Sequence, residues 1–225
     1  MCTSLDDENK RRYYFECKRE DMLRFLPSNM ISILDVGCAA GNFLGALERP
    51  NVYRAGIEPD VEAFKSAKAK MEECINSTFD EELVKSIENR SLHNRFDCIV
   101  FNDLLEHLID PWGAFRLAKR ILSTNGVVVA SIPNILFYSG LVNMIRTQDF
   151  KYESAGITDI THLRFFSKKS IIRMFEEAGY DLLRIEGISS AASLKFKLLN
   201  FLLLNRIADM KYMQFAVVAT PVKSM

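Results

Sequence analysis

The chain has 225 residues, 48% of them hydrophobic and 11% aromatic, which is enough for one sizeable core and predicts a single domain over 1–225. Its 29 basic and 29 acidic residues cancel, so no global field favours a nucleic acid or an anionic membrane as the partner. The five cysteines lack CxxC spacing and the N-terminus is charged rather than apolar, which predicts reduced thiols in a cytoplasmic protein without a zinc cluster or an export signal.

Short apolar runs alternate with segments of helical periodicity, a pattern typical of βα units around a parallel sheet. Six runs are predicted as strands: 31–36, 53–57, 96–102, 127–132, 180–188 and 213–220. No repeat or linker separates them, so we expect all of them to share one sheet.

Three segments between the strands are predicted as helices. Segment 60–73 repeats apolar residues at helical spacing. Its apolar face consists of Val61, Phe64, Ala67 and Met71. Asp110 and Pro111 mark the N-cap and first turn of the second helix. Ser167 caps the third helix, which ends just before Gly179.

The first predicted strand ends in DVGCAAG, which carries Asp35, Gly37 and Gly41. In an open parallel sheet, ligands bind beyond the carboxyl ends of the strands, where the turn needs glycine for close backbone approach. A second acid, Glu58, ends the next strand about twenty residues later, the spacing of a carboxylate that binds ribose hydroxyls. A tight turn without a ligand would use the same glycines, but the paired acids favour a nucleoside ligand.

Together these segments resemble the class I S-adenosylmethionine-dependent methyltransferases, most of all the branch similar to ubiquinone-pathway and sugar O-methyltransferases. The resemblance covers about 31–188. It rests on ILDVGCAAGNFLGAL, AGIEPD, FDCIVFNDLLEHLIDPWGAF, LSTNGVVVASIPNI and ITHLRFFSKKSIIRMFEEAGYDLLRIEGI. It implies an α/β, Rossmann-like sheet of seven mostly parallel strands, with helices on both faces and the last strand antiparallel. It also implies S-adenosylmethionine as the cofactor and S-adenosylhomocysteine as its product.

The resemblance assigns Asp35 and the turn from Gly37 to Gly41 to the methionine end of the cofactor, and Glu58 to its ribose. The full cofactor-binding set that we predict is Asp35, Gly37, Cys38, Ala39, Gly41, Glu58, Pro59, Thr78, Asn102 and Asp103. Ala39 departs from the usual GxGxG, but alanine is the smallest addition there, so we expect cofactor binding to persist. For the contact with adenine, Ser77, Thr78 and Asp80 remain alternatives.

Two of the three histidines are candidate catalytic residues. His107 follows the end of the fourth strand and His162 precedes the last helix, so both can face the cleft, whereas His93 is expected on the surface. A histidine has a pKa near working pH and can serve as the base for a hydroxyl acceptor. A purely structural role of His107, fixing its loop, is equally compatible with the sequence.

Asp103 and Glu106 have the spacing of a capping box, and we favour that interpretation over a catalytic one. With His107 and His162 they also loosely resemble the metal-binding set of small-RNA 3′-end 2′-O-methyltransferases. Asp103 stands where that set has Glu, and the neutral net charge gives little support for RNA. We therefore assign no metal ligand and keep metal-assisted RNA methylation as a lesser alternative.

Three segments lie outside the cofactor motifs. Residues 1–30 are predicted as an N-terminal helical cap, in which Tyr13, Tyr14 and Phe15 either pack over the cofactor or belong to ordinary core and surface packing. Segments 134–160 and 189–210 are predicted as insertions that cover the substrate side or the sheet edge, the first of them as a lid. The apolar part of the second, 194–207, is too short to span a bilayer. It fits a helix buried against the sheet edge or a homodimer contact, and less well a surface for a lipid-linked acceptor.

The sequence thus predicts an O-methyltransferase for a small molecule, a sugar or a glycan precursor. The alternative, from another functional class, is a protein that binds the cofactor without catalysis and serves as a partner or regulatory subunit. The fold alone cannot distinguish such a protein from an enzyme.

Overall fold

The computed structural model describes residues 19–89 and 96–222, and within these ranges seven strands form one sheet. The strands are β1 Ser32–Val36, β2 Tyr53–Ile57, β3 Glu73–Ile75, β4 Phe96–Asn102, β5 Leu122–Pro133, β6 Tyr180–Ser190 and β7 Tyr212–Pro221. Their order in the sheet is β3-β2-β1-β4-β5-β7-β6. The strand order reverses between β1 and β4, the place where open α/β sheets bind their ligands.

The direction of the strands matches the predicted fold. β1 pairs in parallel with β2 and β4, and β4 pairs in parallel with β5. β7 lies antiparallel between β5 and β6. The Rossmann-like, mostly parallel sheet with an antiparallel last strand is therefore confirmed.

Helices flank the sheet, and short 3-10 segments join some of its parts. The α-helices are α1 Asn42–Gly45, α2 Val61–Ala67, α3 Glu81–Asn89, α4 Pro111–Ile121, α5 Tyr138–Thr147, α6 Lys168–Glu177 and α7 Leu194–Leu202. The 3-10 segments are Glu20–Phe25, Leu105–His107 and Ala208–Lys211.

Alternating residues of the central strands enter two cores, one on each face of the sheet. On β4, Ile99 and Phe101 pack in one core, whereas Cys98 and Val100 pack in the other. Side chains of successive strand residues point to opposite faces, so a strand buried on both faces is an unbroken apolar run. All five residues of β1 are buried for the same reason.

Local capping explains why two of the predicted helices form where expected. Asp110 accepts a hydrogen bond from the Gly113 amide at 2.9 Å, and Pro111 occupies the first turn of α4. Ser167 accepts from the Ser170 amide at 3.4 Å, and the Ser170 hydroxyl accepts from the Ser167 amide at 2.8 Å. Both predictions are confirmed.

The predicted helix over 60–73 is wrong in its second half. α2 ends at Ala67, and the chain then extends into β3, whose Glu73 lies opposite Ala55 of β2. Pairing with the sheet edge satisfies backbone groups that the helix would otherwise use. Val61, expected on the buried face, is exposed.

Segment 194–207 does not bury itself against the sheet edge as expected. Of the nine residues of α7, Phe196 is the one buried. No helix in the described ranges is long and apolar enough to cross a bilayer. Cys38, Cys74 and Cys98 are free thiols, as predicted. The predictions for Tyr13, Tyr14, Phe15 and His93 concern residues outside the described ranges.

Candidate active site

A cavity of about 230 Å³ opens beyond the carboxyl ends of β1 and β4. The turn after β1, the segment after β4 and the loop over 155–162 line it, and residues from the start of the described chain and from β7 close it. The lining residues with polar or titratable side chains are Arg19, Asp35, Cys38, Asn102, Asp103, Glu106, His107, Asp159, His162 and Gln214. The structure thus brings both predicted catalytic histidines into one cavity with part of the predicted cofactor set.

The two glycines of the turn after β1 are required by conformation and by packing. Gly37 and Gly41 have φ of +74° and +72°. A Cβ on Gly37 would lie 3.1 Å from Leu104 Cδ1, and one on Gly41 would lie 2.9 Å from Ala67 Cα. Side chains are rare at such φ values. The fold alone therefore accounts for both glycines, and the argument for a ligand rests on the polar groups around them.

Glu58 holds the turn at Ala39, the residue that departs from the family pattern. Ala39 adopts a left-handed φ of +47°, and its amide donates to Glu58 Oε2 at 2.9 Å. The Asp60 amide donates to Glu58 Oε1 at 2.8 Å. Burial raises the pKa of the Glu58 carboxyl, and the two amides oppose that shift. The left-handed alanine costs about 1–2 kcal/mol, which the bond to Glu58 helps to offset.

Asp35 and Arg19 each bring an unsatisfied polar atom to the cavity. Among the described residues, none hydrogen-bonds to Asp35 Oδ1 or to Arg19 Nη2, although both atoms are buried. Burial, and then the charge of Glu58, raises the pKa of Asp35 to about 7. Buried polar atoms are rarely left unpaired. A ligand that carries both an ammonium and a carboxylate group would satisfy both atoms.

Asn102, at the end of β4, is a third residue with unpaired buried polar atoms. Neither its side-chain oxygen nor its side-chain nitrogen has a hydrogen-bond partner in the described part of the chain, and both are buried. An amide can both donate and accept, so it suits a ligand with hydroxyl or amino groups.

Asp103 does not form the predicted capping box. It has a left-handed φ of +48°. Its carboxylate accepts from Arg19, from the Ser131 hydroxyl at 3.1 Å and from Gln214 Nε2 at 2.9 Å. The 3-10 segment that follows has no side-chain cap. The prediction is wrong because these partners, distant in sequence, compete successfully with the local amides for this carboxylate.

Glu106, the second residue of the predicted capping box, is buried and does not act as a cap. It is 1% exposed, and neither carboxylate oxygen has a hydrogen-bond partner among the described residues. His162 Nε2 lies 4.0 Å from Glu106 Oε1. Burial raises the pKa of Glu106 to about 8. A cation next to this carboxyl would favour its charged form.

His107 and His162 lie side by side with the same tautomer. Their ring centroids are 4.8 Å apart. His107 Nδ1 lies 3.2 Å from the Thr161 carbonyl and His162 Nδ1 lies 3.0 Å from the Ile157 carbonyl. A carbonyl only accepts, so each Nδ1 carries the proton and each Nε2 is the acceptor nitrogen. Burial lowers the pKa of both rings, and for His107 the charge of His162 adds to the effect.

The side chains of His107 and His162 converge with the carboxylate of Glu106. One ligand atom from each of Glu106, His107 and His162 lies within 4.8 Å of the others. The loop that carries His162 docks here because the Leu163 and Arg164 amides both donate to the Glu106 carbonyl, at 2.8 and 3.0 Å. Two imidazoles and a carboxylate form a donor set that suits a divalent metal ion.

Four residues predicted for the cofactor lie outside the lining of the cavity: Gly41, Glu58, Pro59 and Thr78. Thr78 donates from its hydroxyl to Asp80 Oδ2 at 2.6 Å, while Asp80 Oδ1 accepts from the Leu83 amide at 2.9 Å. Asp80 thereby caps α3.

Arg19 and Gln214 line the cavity but were not predicted as site residues from the sequence. Arg19 is bonded to Asp103, 84 residues away, and Gln214 to the same carboxylate, 111 residues away. A lone arginine or glutamine in a sequence carries no periodic or spacing signal. Only the assembled sheet reveals that both line the cavity.

Comparison with known proteins identifies the family. Residues 9–185 match the family model described as Methyltransferase domain. The ubiquinone biosynthesis O-methyltransferase of Thiobacillus denitrificans is 27% identical over 159 residues, which is 70% of this chain and 67% of that protein. Across four relatives of that description, the aligned part covers 44% to 67% of the relative's own length.

Solved structures share the fold at low sequence identity. A SAM-dependent methyltransferase from Archaeoglobus fulgidus has a TM-score of 0.64 and 18% identity, covering 96% of this chain and 92% of the other. The plantazolicin methyltransferase BamL, in a complex that contains SAH, has a TM-score of 0.62 and 14% identity, covering 96% and 91%.

The matched family model spans well over half of the chain, which therefore belongs to the methyltransferase-domain family, the class I S-adenosylmethionine-dependent methyltransferases. The predictions of this family, of a methyltransferase enzyme and of S-adenosylmethionine as its cofactor are confirmed.

Proposed function

We propose that this chain methylates a hydroxyl oxygen of a small molecule, with the cofactor's methionine end at Asp35 and Arg19 and the acceptor hydroxyl at His107. The observation that carries the proposal is the single cavity that joins an unpaired carboxylate oxygen and an unpaired guanidinium nitrogen to a pair of neutral histidines. The relatives named O-methyltransferase support an oxygen acceptor.

In this proposal, Asp35 accepts from the α-ammonium group of the cofactor and Arg19 donates to its α-carboxylate. Asp103 keeps Arg19 in place through its own ion pair. Charge-assisted hydrogen bonds of this kind are about twice as strong as neutral ones.

The remaining predicted residues hold the other parts of the cofactor. Backbone groups of the turn Gly37, Cys38, Ala39 and Gly41 approach it closely, and Asn102 supplies an amide. The carboxylate oxygens of Glu58 accept hydrogen bonds from backbone amides and keep further lone pairs. These lone pairs accept from the ribose hydroxyls. Pro59 and Thr78 lie on the adenosine side.

The cofactor supplies a methyl group activated by a sulfonium. His107 Nε2 takes the proton of the acceptor hydroxyl as its oxygen attacks the methyl carbon. The bound cofactor would supply the methyl group and keep the electron pair of the broken carbon–sulfur bond, so that S-adenosylhomocysteine and the methylated oxygen would be the products. His107 can act in this way because its ring is neutral and its Nδ1 is oriented by the Thr161 carbonyl. The loop with His162 covers the site and limits the access of water.

A second candidate differs in how the hydroxyl is activated. Glu106, His107 and His162 converge and would hold a divalent ion, which would supply a Lewis acid that lowers the pKa of the acceptor hydroxyl. Asp103, the fourth member of the metal set considered from the sequence, is engaged by Arg19, Ser131 and Gln214. In this version both histidines are ligands and neither is the base.

The test is a methyl-transfer assay with labelled S-adenosylmethionine and a panel of phenols and sugars, with and without a chelator. Methyl transfer that persists with the chelator supports His107 as the base, provided that His107→Ala lowers it and the surface control Ser66→Ala does not. Transfer that the chelator abolishes and manganese or zinc restores supports the metal version. Tight cofactor binding without transfer to any acceptor would favour the non-catalytic alternative.

A further inference from the structure

The connection between β6 and β7 presents an apolar surface that the fold leaves uncovered. Five large apolar side chains of α7 and the turn after it are between 62% and 83% exposed, and we call them the apolar face: Leu194, Leu198, Phe201, Leu202 and Leu204. A contiguous exposed patch of this kind marks an interaction surface.

The apolar face points outward because its opposite side is anchored. Phe196 is 1% exposed, with its ring centroid 4.9 Å from that of Tyr138 on α5. Ser193 caps the start of α7 by accepting from the Phe196 amide at 3.1 Å. The Asn200 side chain accepts from the Ile207 amide at 3.2 Å and closes the following turn. The helix is thus fixed on the body of the protein.

Positive charge surrounds the apolar face in a chain whose net charge is zero. Lys195, Lys197 and Arg206 are exposed, and Lys211 follows at the end of the connection. Asp209 is the one acidic residue between 189 and 212, and Lys168 neutralises it with an Nζ to Oδ2 distance of 3.1 Å. The local excess of basic residues is therefore uncompensated within the connection.

α5 extends the same chemistry. It contains no acidic residue, carries Arg146 in its last turn and exposes Val142 and Ile145. Its contact with α7 through Tyr138 joins the two helices. An apolar helix surface with basic residues at its border lies in the plane of a membrane interface, and anionic lipid heads attract the basic groups.

We propose that the apolar face and its basic border dock on the surface of an anionic lipid bilayer. A second copy of the chain fits less well, because a two-fold contact through the apolar face would bring the basic border of one copy, Lys195, Lys197 and Arg206, close to that of the other. β6 is parallel to the central strands, so α7 lies at the edge where the cavity opens. Met213 and Gln214, which follow the connection, line that cavity.

The test is co-sedimentation of the full chain with vesicles of phosphatidylglycerol and phosphatidylcholine, and with vesicles of phosphatidylcholine alone. We expect binding to the anionic vesicles only. The double variant Lys195→Gln with Lys197→Gln should weaken binding to the anionic vesicles about 30-fold. Each basic residue near an anionic surface contributes about 1 kcal/mol, and about 1.36 kcal/mol corresponds to a tenfold change in affinity. Leu198→Ser with Phe201→Ser should abolish it.

The matched control is Ile31→Ser, which removes an equally exposed apolar side chain elsewhere on the surface and should leave vesicle binding unchanged. Thermal melting of each variant checks the fold. Equal binding to both vesicle types, or none to either, would overturn the proposal. A dimer that light scattering detects, and that dissociates in the double variant Leu198→Ser with Phe201→Ser, would also overturn the proposal, since the apolar face would then contact a second copy.

Discussion

Asp35 Oδ1 and Arg19 Nη2 line one cavity, and neither has a hydrogen-bond partner in the part of the chain that the structure describes. Each such atom costs the folded chain about 1–3 kcal/mol. A cofactor with an amino acid end removes both costs at once. The two unpaired atoms are therefore the groups on which the assignment of the cofactor's methionine end rests.

Cofactor binding should depend on pH through Asp35. Its pKa of about 7 in the cofactor-free chain means that the carboxyl is largely protonated at pH 6 and must ionise to pair with an ammonium group. The affinity for S-adenosylhomocysteine should therefore rise from pH 6 to pH 8 and then level off. Calorimetry in two buffers of different ionisation enthalpy measures the released proton. Asp35→Asn should bind weakly and without this pH dependence. A flat profile in the unmutated chain would contradict the assignment.

The stability of the cofactor-free chain should fall as pH rises. The folded pKa of Asp35 is raised from 3.8 to about 7 and that of Glu106 from 4.5 to about 8. At these two carboxyls the folded chain therefore holds more protons than the unfolded chain across about pH 4 to 8, and their contribution to stability falls as pH rises through this window. Urea denaturation at several pH values measures the effect. Glu106→Gln should flatten the dependence, whereas the exposed control Asp181→Asn should not. A rise in stability over this window would refute the burial argument.

Arg19→Met should weaken S-adenosylhomocysteine binding by about 1.5–3 kcal/mol, the loss expected for hydrogen bonds to a charged group. The matched control is Arg24→Met, in the 3-10 segment that directly follows Arg19. Arg24 is exposed and pairs with Glu186 on the surface at 2.7 Å. The control should bind normally. Equal affinity in the two variants would exclude Arg19 from the cofactor site.

Ala39→Val should destabilise the chain by more than about 1 kcal/mol, because a β-branched side chain tolerates a left-handed φ poorly. Ala39→Gly should leave stability equal or raise it by up to about 1 kcal/mol, and it should keep cofactor binding. Ala40→Val is the neighbouring control outside the left-handed region. Thermal melts of the three variants settle the order, and a stable Ala39→Val would show that the turn is not strained.

His107→Ala should lower turnover by about 10² to 10⁴ and leave cofactor affinity nearly intact, as for a general base. Burial lowers the pKa of His107 from its usual 6.5, so the unmutated chain should be active at pH 7 and lose activity as the pH falls through this lowered pKa. The pH profile of kcat measures this. Parallel losses of turnover and cofactor affinity in His107→Ala would assign the residue to structure.

Local signals predicted most of the sheet and two helices correctly. β1 and β4 are apolar runs because both faces are buried, and Asp110 and Ser167 carry cap chemistry within a few residues of themselves. The order of these elements was enough to place Asp35 and His107 at the same edge. Such features depend on neighbours in the chain, which a sequence displays directly.

Features that depend on distant partners could not be predicted. Asp103 and Glu106 have the local spacing of a capping box. Arg19 and Gln214 nevertheless donate hydrogen bonds to Asp103, and Glu106 is buried. The helix predicted over 60–73 stops early because β2 offers an edge to β3. In each case a tertiary partner outcompetes a valid local interaction.

The most direct test of the account is calorimetric titration of S-adenosylhomocysteine into the unmutated chain and into Asp35→Asn at pH 8. We expect micromolar binding to the first and a loss of about tenfold or more in the second, as for a hydrogen bond to a charged group. Binding of equal strength to both would contradict the claim that the orphaned carboxylate of Asp35 receives the cofactor's ammonium group.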